Sequence, residues 1–230
     1  MIPVCIFTYA GDALPLRECV KGVLLAGLKP VVFDDANHPI GRAAAAWIES
    51  LGGIYHKTKF NRRGNLNGTE CAAGIARSLH KAMVETQEVI AFKIDTDTII
   101  LRPDRFLGTS SGVCSSTPPA RKAFGCSYTL TRNTAKKVAD HIETLDDPAA
   151  PEDELIWDTI RHLGLRHAIY DFVASGGPFS AVPRYFDPVD CMKFDVLTFG
   201  NPPEEGWKDR PLEITLAMKR LNDFNLILEL

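Results

Sequence analysis

The chain lacks several features that would assign it to a common class of protein. Within its 230 residues, no window approaches the roughly 18 apolar residues expected of a membrane-spanning helix. The N-terminus enters an apolar segment at once, without the basic region or small-residue cleavage site of a secretory signal. These absences predict a cytoplasmic protein with no transmembrane segment.

A net positive charge is also lacking. The formal net charge is −3 and the pI about 6.1, which does not favour nucleic acid as a partner. The six cysteines are scattered without a C-x-x-C pair, and this pattern favours reduced, buried thiols over disulfides or zinc. None of the six histidines pairs at metal-ligand spacing. Length and composition predict one globular domain spanning residues 1–230.

Strand and helix signals alternate over the first hundred residues. Apolar runs predict strands, apolar residues at helical spacing predict helices, and Asn67 or Thr69 is the expected cap of the third helix. The predicted strands are 4–9, 30–33, 54–57 and 89–101, and the predicted helices are 14–26, 43–51 and 69–85. This order is typical of an α/β fold with a mainly parallel sheet flanked by helices. Residues 1–101 would form the first half of the domain.

The pattern changes after residue 101, which predicts a second half of different organisation that ends in a C-terminal helix. Residues 174–211 are rich in proline and glycine and read as irregular. The expected strands are 112–117, 124–130 and 167–173, and the expected helices are 131–145, 152–163 and 212–224. Three acids in the first turn of the 152–163 helix suit its macrodipole.

Two carboxylates interrupt the apolar segment 89–101. Asp95 and Asp97 are spaced i, i+2, so on an extended strand they would point the same way as Lys93. Neighbouring carboxylates repel each other and resist burial unless a cation or proton lies between them. A divalent metal held by two carboxylates usually bridges to substrate phosphates. The pair therefore predicts phosphate or nucleotide-sugar chemistry.

The order of these segments resembles the nucleotide-sugar glycosyltransferases of the GT-A fold. Three strand–helix units precede a hydrophobic strand that ends in Asp-x-Asp. Residues 124–132 (Phe-Gly-Cys-Ser-Tyr-Thr-Leu-Thr-Arg) resemble the acceptor-side strand and the start of the next helix. Residues 151–157 (Pro-Glu-Asp-Glu-Leu-Ile-Trp) resemble the Glu-Asp helix start of family 2-like inverting members. The resemblance covers residues 1–165 and implies a Rossmann-like central sheet with a short antiparallel acceptor-side region. It also implies a nucleotide-sugar-binding half over residues 1–101 and an acceptor half over 102–230.

The resemblance implies a donor site beyond the carboxyl ends of the strands, where α/β folds bind ligands. Asp95 and Asp97 would hold Mn²⁺ or Mg²⁺ on the donor diphosphate. Thr8 and Tyr9 would line the base and ribose pocket, and Asp34 or Asp35 would contact the base or ribose. The implied donor-binding set is Thr8, Tyr9, Asp34, Asp35, Lys93 and Asp95.

The resemblance further implies transfer of a sugar from a UDP- or GDP-sugar to a hydroxyl of a glycan or lipid-linked acceptor. Asp153 or Glu152 would deprotonate that hydroxyl. Many such enzymes add a histidine metal ligand near the C-terminus, but no histidine follows His167. Asp190, Asp195 or Asn201 could take its place, which leaves the third metal ligand open.

Three other functions fit parts of the pattern. A phosphatase of the haloacid dehalogenase type uses Asp-x-Asp on its first strand, followed by Gly-Thr, whereas here the pair lies on the fourth predicted strand and is followed by Thr98-Ile99. A sugar-1-phosphate nucleotidyltransferase would need a glycine-rich basic loop after the first strand, and residues 8–12 (Thr-Tyr-Ala-Gly-Asp) do not supply one. A catalytically inactive GT-A domain serving as a nucleotide-binding scaffold is the non-enzyme alternative.

Overall fold

The structure is a computed structural model, and it describes residues 1–60, 68–103, 112–115, 127–146, 149–170, 187–191, 196–199 and 210–228. The described strands are β1 (Pro3–Thr8), β2 (Lys29–Asp34), β3 (Ile54–Lys57), β4 (Ile90–Asp95), β5 (Thr98–Ile100), β6 (Gly112–Ser115), β7 (Ser127–Thr131), β8 (His167–Tyr170) and β9 (Val196–Thr198). The described helices are α1 (Ala13–Leu25), α2 (Arg42–Ser50), α3 (Thr69–Glu85), α4 (Arg132–Ile142), α5 (Glu152–His162), α6 (Pro188–Cys191) and α7 (Arg210–Leu228).

Seven strands form a central sheet in the order β3-β2-β1-β4-β7-β6-β8. The first four are parallel, as their connecting helices require. β7 then runs antiparallel to β4 and to β6, while β8 lies parallel to β6. A second, two-stranded antiparallel sheet joins β5 to β9. The predicted α/β class, the mostly parallel sheet and the short antiparallel region are confirmed.

Helices cover both faces of the central sheet and give the domain two apolar layers. On one face, Phe7 and Ala91 pack in a cluster with residues of α3, α4 and α5, including the buried Trp157. On the other face, Ile6 and Phe92 pack with residues of α1, α7 and the β5–β9 sheet. Because both faces are covered, the central strands read as continuous apolar runs rather than alternating ones.

The predicted continuous strand 89–101 is wrong. β4 ends at Asp95, Thr96 and Asp97 form a turn, and β5 leaves the central sheet to pair with β9. The last pair between β4 and its neighbour β1 joins Asp95 to Phe7, so no strand extends the ladder further. The two carboxylates therefore lie on either side of a strand end, not on one face of a strand.

The helix boundaries agree closely with the sequence, with one correction at α3. Its N-cap is Gly68, with φ of 87° and no side-chain cap bond, so the expected cap at Thr69 is wrong, and Asn67 lies outside the described residues. Residues 61–67, between β3 and α3, and much of the stretch 174–211 also lie outside them. In the part of that stretch that the structure describes, Pro188–Cys191 form α6 and Val196–Thr198 form β9, so the prediction of an irregular segment is wrong there. Of the helices that the structure describes, none has the length and hydrophobicity to cross a membrane.

Candidate active site

The candidate site lies at the carboxyl ends of three adjacent strands, β2, β1 and β4. The register places Thr8 at the end of β1 opposite Asp34 on β2, and Phe7 opposite Asp95 on β4. The N–H groups and loops at this edge are where ligands bind in α/β sheets. The structure thus brings the ends of all three predicted donor-site strands together.

Asp34, the last residue of β2, and Asp35, which follows it, organise the next loop. Both Asp34 carboxylate oxygens accept hydrogen bonds from the Ile40 N–H (3.1 and 3.0 Å), and Oδ2 also accepts one from the Tyr55 hydroxyl at 2.6 Å. Burial raises the pKa of Asp34, and the Tyr55 hydrogen bond opposes that rise. Asp35 Oδ1 accepts from two backbone N–H groups, those of Asn37 and His38, each at 2.7 Å.

The segment after β1 is tied to this same loop. The Ala10 N–H donates to the His38 carbonyl at 2.8 Å, and the Asp35 N–H donates to the Thr8 carbonyl at 3.0 Å. The Tyr9 ring lies over Gly11, where an added Cβ would come within 2.4 Å of the ring. Glycine at position 11 is therefore what permits Tyr9 to sit against the backbone of its own loop.

Lys93 is buried on β4 and its ammonium meets the first acid of the Asp-x-Asp pair. Lys93 Nζ donates to Asp95 Oδ1 at 2.9 Å, and the Asp95 side chain keeps 20% of its surface exposed. The Cys19 thiol donates a weak hydrogen bond, at 3.6 Å, to the carbonyl of Asp95, the last residue of β4. Lys93, predicted as part of the donor set, thus contacts the predicted metal ligand directly.

The same ammonium meets an acid from the other half of the chain. Glu152 is the first residue of α5, and its Oε1 lies 3.3 Å from Lys93 Nζ. The Tyr128 hydroxyl donates to that oxygen at 3.4 Å, and Lys93 Nζ lies 5.7 Å from the centre of the Tyr128 ring. Burial raises the pKa of Glu152 to about 7, although Lys93 acts in the opposite direction.

Asp97 is held by the small antiparallel sheet. Its carbonyl accepts a hydrogen bond from the Phe199 N–H at 2.7 Å, and its Oδ1 accepts a longer one from the Thr198 hydroxyl at 3.4 Å. Phe199 follows β9, which comes from the second half of the chain. The turn that carries the second predicted metal ligand is therefore fixed by residues a hundred positions away.

The chemistry of the site fits a hard divalent cation. Asp95 and Asp97 offer carboxylate oxygens within one turn, and both side chains are partly exposed. Mg²⁺ and similar ions are commonly held by one or two carboxylates, with waters and substrate phosphates completing the shell. Among the residues that the structure describes, no three His, Cys, Asp or Glu side chains converge on one point. Asp190 is in α6, and Asp195 and Asn201 lie outside the described residues.

Sequence reasoning missed the part played by Tyr128. The antiparallel register between β4 and β7 sets Tyr128 directly opposite Lys93. That register depends on two segments 35 positions apart, so no local pattern reveals it. The available signal was the resemblance of residues 124–132 to an acceptor-side strand, which placed Tyr128 near the site without giving it a partner.

No protein-family model and no curated protein match this sequence. Solved structures do match its fold. A glycosyltransferase involved in the glycosylation of the major capsid of PBCV-1 aligns at TM-score 0.55 and 8% identity, covering 95% of this chain and 98% of that one. The inositol-1-phosphate CTP transferase of T. maritima aligns at TM-score 0.52 and 11% identity, covering 95% of this chain and 96% of that one.

The apo-form glycosyltransferase GlyE of Streptococcus pneumoniae TIGR4 aligns at TM-score 0.54 and 11% identity, over 99% of this chain and 64% of that one. At such identities the likeness concerns the fold. The chain has the GT-A-like α/β fold of these transferases, as the order of its segments predicted.

Proposed function

We propose that the protein is a metal-dependent glycosyltransferase that moves a sugar from a nucleotide-diphospho-sugar to a hydroxyl acceptor. The observation that carries the proposal is the position of Asp95 and Asp97. They lie at the end of β4 and in the turn after it, at the edge where Thr8 and Asp34 also end their strands. Ligands of α/β folds bind at this edge, and a glycan or lipid-linked acceptor would approach from the second half of the chain.

On this proposal the first half of the chain binds the donor. Tyr9 and the loop held by Asp34 and Asp35 would form the base and ribose pocket, with Thr8 at its floor. Those two acids would act mainly through the loop, because their carboxylates are buried and already accept hydrogen bonds from it. UDP- and GDP-sugars are the donors to test first.

Asp95 and Asp97 would hold Mn²⁺ or Mg²⁺ against the diphosphate. The bound cation would supply positive charge for the leaving nucleoside diphosphate. Lys93 adds a fixed ammonium beside Asp95, in a buried position where its charge is screened little by water.

The proposed base is Asp153, because the side chains of Asp153 and Glu152 differ in their exposure. Glu152 is 3% exposed and faces Lys93, whereas Asp153 is partly exposed in the same first turn of α5. Asp153→Asn should lower kcat for transfer by about 100-fold while leaving donor binding unchanged, since general base catalysis contributes about 10²–10⁴. Asp158→Asn, an exposed acid on the same helix, is the matched control. Equal losses in kcat and in donor affinity would count against Asp153 as the base.

The test of the function is calorimetric binding of a panel of nucleoside diphosphates, with and without Mn²⁺, followed by transfer assays with the corresponding sugars. Binding of one nucleoside diphosphate that requires the metal supports the proposal. Nucleoside diphosphate binding of equal affinity with and without Mn²⁺ would favour an inactive scaffold. A burst of phosphate from a small phosphoester would favour the phosphatase, and release of pyrophosphate from CTP and a sugar phosphate would favour a nucleotidyltransferase.

A further inference from the structure

A buried ammonium joins two carboxylates that come from the two halves of the chain. Lys93 Nζ lies 2.9 Å from Asp95 Oδ1 and 3.3 Å from Glu152 Oε1. The Lys93 side chain is 1% exposed and that of Glu152 is 4% exposed. β4 supplies Lys93 and Asp95, and the first turn of α5 supplies Glu152.

Two acids that share one cation are energetically coupled even when they do not contact each other. Interactions between buried charges are screened little, so a change at one acid alters how strongly the ammonium is drawn to the other. The position of Glu152 at a helix N-terminus and the hydroxyl of Tyr128 both favour a carboxylate there. Burial opposes it, which is the cause of the raised pKa of Glu152.

We propose that Glu152 is a positioning residue that acts through Lys93 on the carboxylate of Asp95. In this arrangement Glu152 draws the ammonium partly away from Asp95, which keeps the Asp95 carboxylate able to bind a cation. The two acids of the Glu-Asp helix start then have separate tasks, with Glu152 serving the donor side and Asp153 the acceptor. The catalytic consequence rests on the proposed function, but the coupling itself does not.

The coupling is tested first without any ligand, by denaturant unfolding at about pH 8. With Asp95 intact, Glu152→Gln still leaves Lys93 near a carboxylate. With Asp95→Asn already present, the same change removes the second acid from a buried ammonium. Breaking a buried pair is strongly destabilising, so Glu152→Gln should lower the folding equilibrium constant about tenfold more in the Asp95→Asn background than in the wild type.

Lys93→Met provides the decisive background for this cycle. Without the ammonium, the effects of Glu152→Gln and Asp95→Asn should be additive. If the double variant Asp95→Asn/Glu152→Gln does not fold, restoration of folding by Lys93→Met supports the same conclusion. Additive effects in the wild-type background, or equal non-additivity after Lys93→Met, would overturn the proposal.

The second measurement separates positioning from a purely structural role. Glu152→Gln should weaken Mn²⁺-dependent binding of the nucleoside diphosphate about tenfold, in the range by which outer-shell changes alter metal sites. The same change should have little effect on binding once Lys93 is Met. Glu152→Asp should restore part of the loss, and Glu154→Gln, which removes an acid from the same helix turn, is the matched control.

The two failures are distinguishable. If the wild type binds no nucleoside diphosphate with Mn²⁺, the proposed function fails, while the unfolding cycle still decides whether Asp95 and Glu152 are coupled. If binding requires Mn²⁺ but Glu152→Gln leaves it unchanged, the positioning role fails and the proposed function stands. A large fall in kcat with unchanged donor affinity in Glu152→Gln would instead mark Glu152 as the base.

Discussion

Two pairs of acids follow two strands of the same sheet, and the structure treats them differently. Asp34 and Asp35 after β2 are fully buried, and their carboxylates accept hydrogen bonds from the backbone of the next loop. Asp95 is the last residue of β4 and Asp97 lies in the turn that follows, and both are partly exposed. An acid at a strand end is therefore not evidence of a ligand site until its oxygens have been traced to their partners.

The neighbours of each pair explain the difference. The loop after β2 leads into α2, and its backbone N–H groups donate hydrogen bonds to the carboxylates of Asp34 and Asp35. These carboxylates therefore take the place of water as acceptors for the backbone. The chain after β4 instead leaves the central sheet, where β5 pairs with β9, and the Asp97 carbonyl accepts a hydrogen bond from the Phe199 N–H. The carboxylates of the first pair are buried in hydrogen bonds to their own loop, whereas those of the second pair contact Lys93 and Thr198 and stay partly exposed.

The sharpest test of this contrast is Asp97→Asn. If Asp97 is a metal ligand, donor hydrolysis and sugar transfer should fall at least about 1,000-fold, since outer-shell changes alone cost about 10–100-fold in metal affinity or activity. The thermal unfolding midpoint should change little, because the Thr198 hydrogen bond to the carboxylate is long. Asp158→Asn again serves as the control. Turnover by Asp97→Asn at the wild-type rate would remove Asp97 from the site.

The pH dependence of the unfolding free energy tests the charge of Glu152, which lies near the second pair because both Glu152 and Asp95 contact Lys93. The pKa of Glu152 is raised in the folded protein from 4.5 to about 7, so the folded state binds more protons than the unfolded state between these values. Its contribution to stability is complete below pH 4.5 and is lost as the pH rises through about 7. At about 1.4 kcal/mol per pKa unit, the loss amounts to about 3 kcal/mol.

The control for that titration is Glu152→Gln, which cannot titrate at this position. The difference in unfolding free energy between wild type and Glu152→Gln, measured from pH 4 to 8, should carry this dependence while other groups cancel. A difference that stays constant with pH would mean that Glu152 keeps its ordinary pKa.

The sequence allowed the first half of the fold to be predicted closely. α1 ends next to Gly27 (φ 69°) and α2 near Gly52 (φ 78°), and such glycines are readable as helix ends. The strand 89–101 was mispredicted because its end depends on where β1 stops and on the pairing of β5 with β9. Those are contacts between distant segments, and local hydrophobicity does not contain them.

The same limit applies to the candidate site. The ends of β1, β2 and β4 were predicted to meet, because parallel strands share an edge, and the structure agrees. The link from Asp95 through Lys93 to Glu152 was not predicted, since it requires the β4–β7 register and the docking of α5. An isolated lysine in an apolar strand was the visible signal, because a buried lysine is almost always paired.

Replacement of Asp34 tests the structural side of the contrast. Asp34→Ala leaves the Ile40 N–H and the Tyr55 hydroxyl without their acceptor and should lower the free energy of unfolding by about 2 kcal/mol. Asp34→Asn keeps an acceptor oxygen and loses a charge that burial already disfavours, so its cost should be smaller. Denaturant unfolding measures both. If Asp34→Asn lowers the free energy of unfolding as much as Asp34→Ala does, the charge of Asp34 matters more than its hydrogen bonds.

Of the four acids, Asp35 should have the smallest effect on nucleoside diphosphate binding when it is replaced. Its Oδ1 accepts from the N–H groups of Asn37 and His38 in a turn resembling a helix cap, and loss of such a cap costs about 1 kcal/mol. These N–H groups lie in a loop with exposed residues, so water can replace the carboxylate in Asp35→Ala. Nucleoside diphosphate binding should weaken only as far as the loop loosens, by about threefold, a shift under 1 kcal/mol. A loss as large as that of Asp97→Asn would show instead that Asp35 contacts the donor directly, and the contrast between the two acidic pairs would not hold.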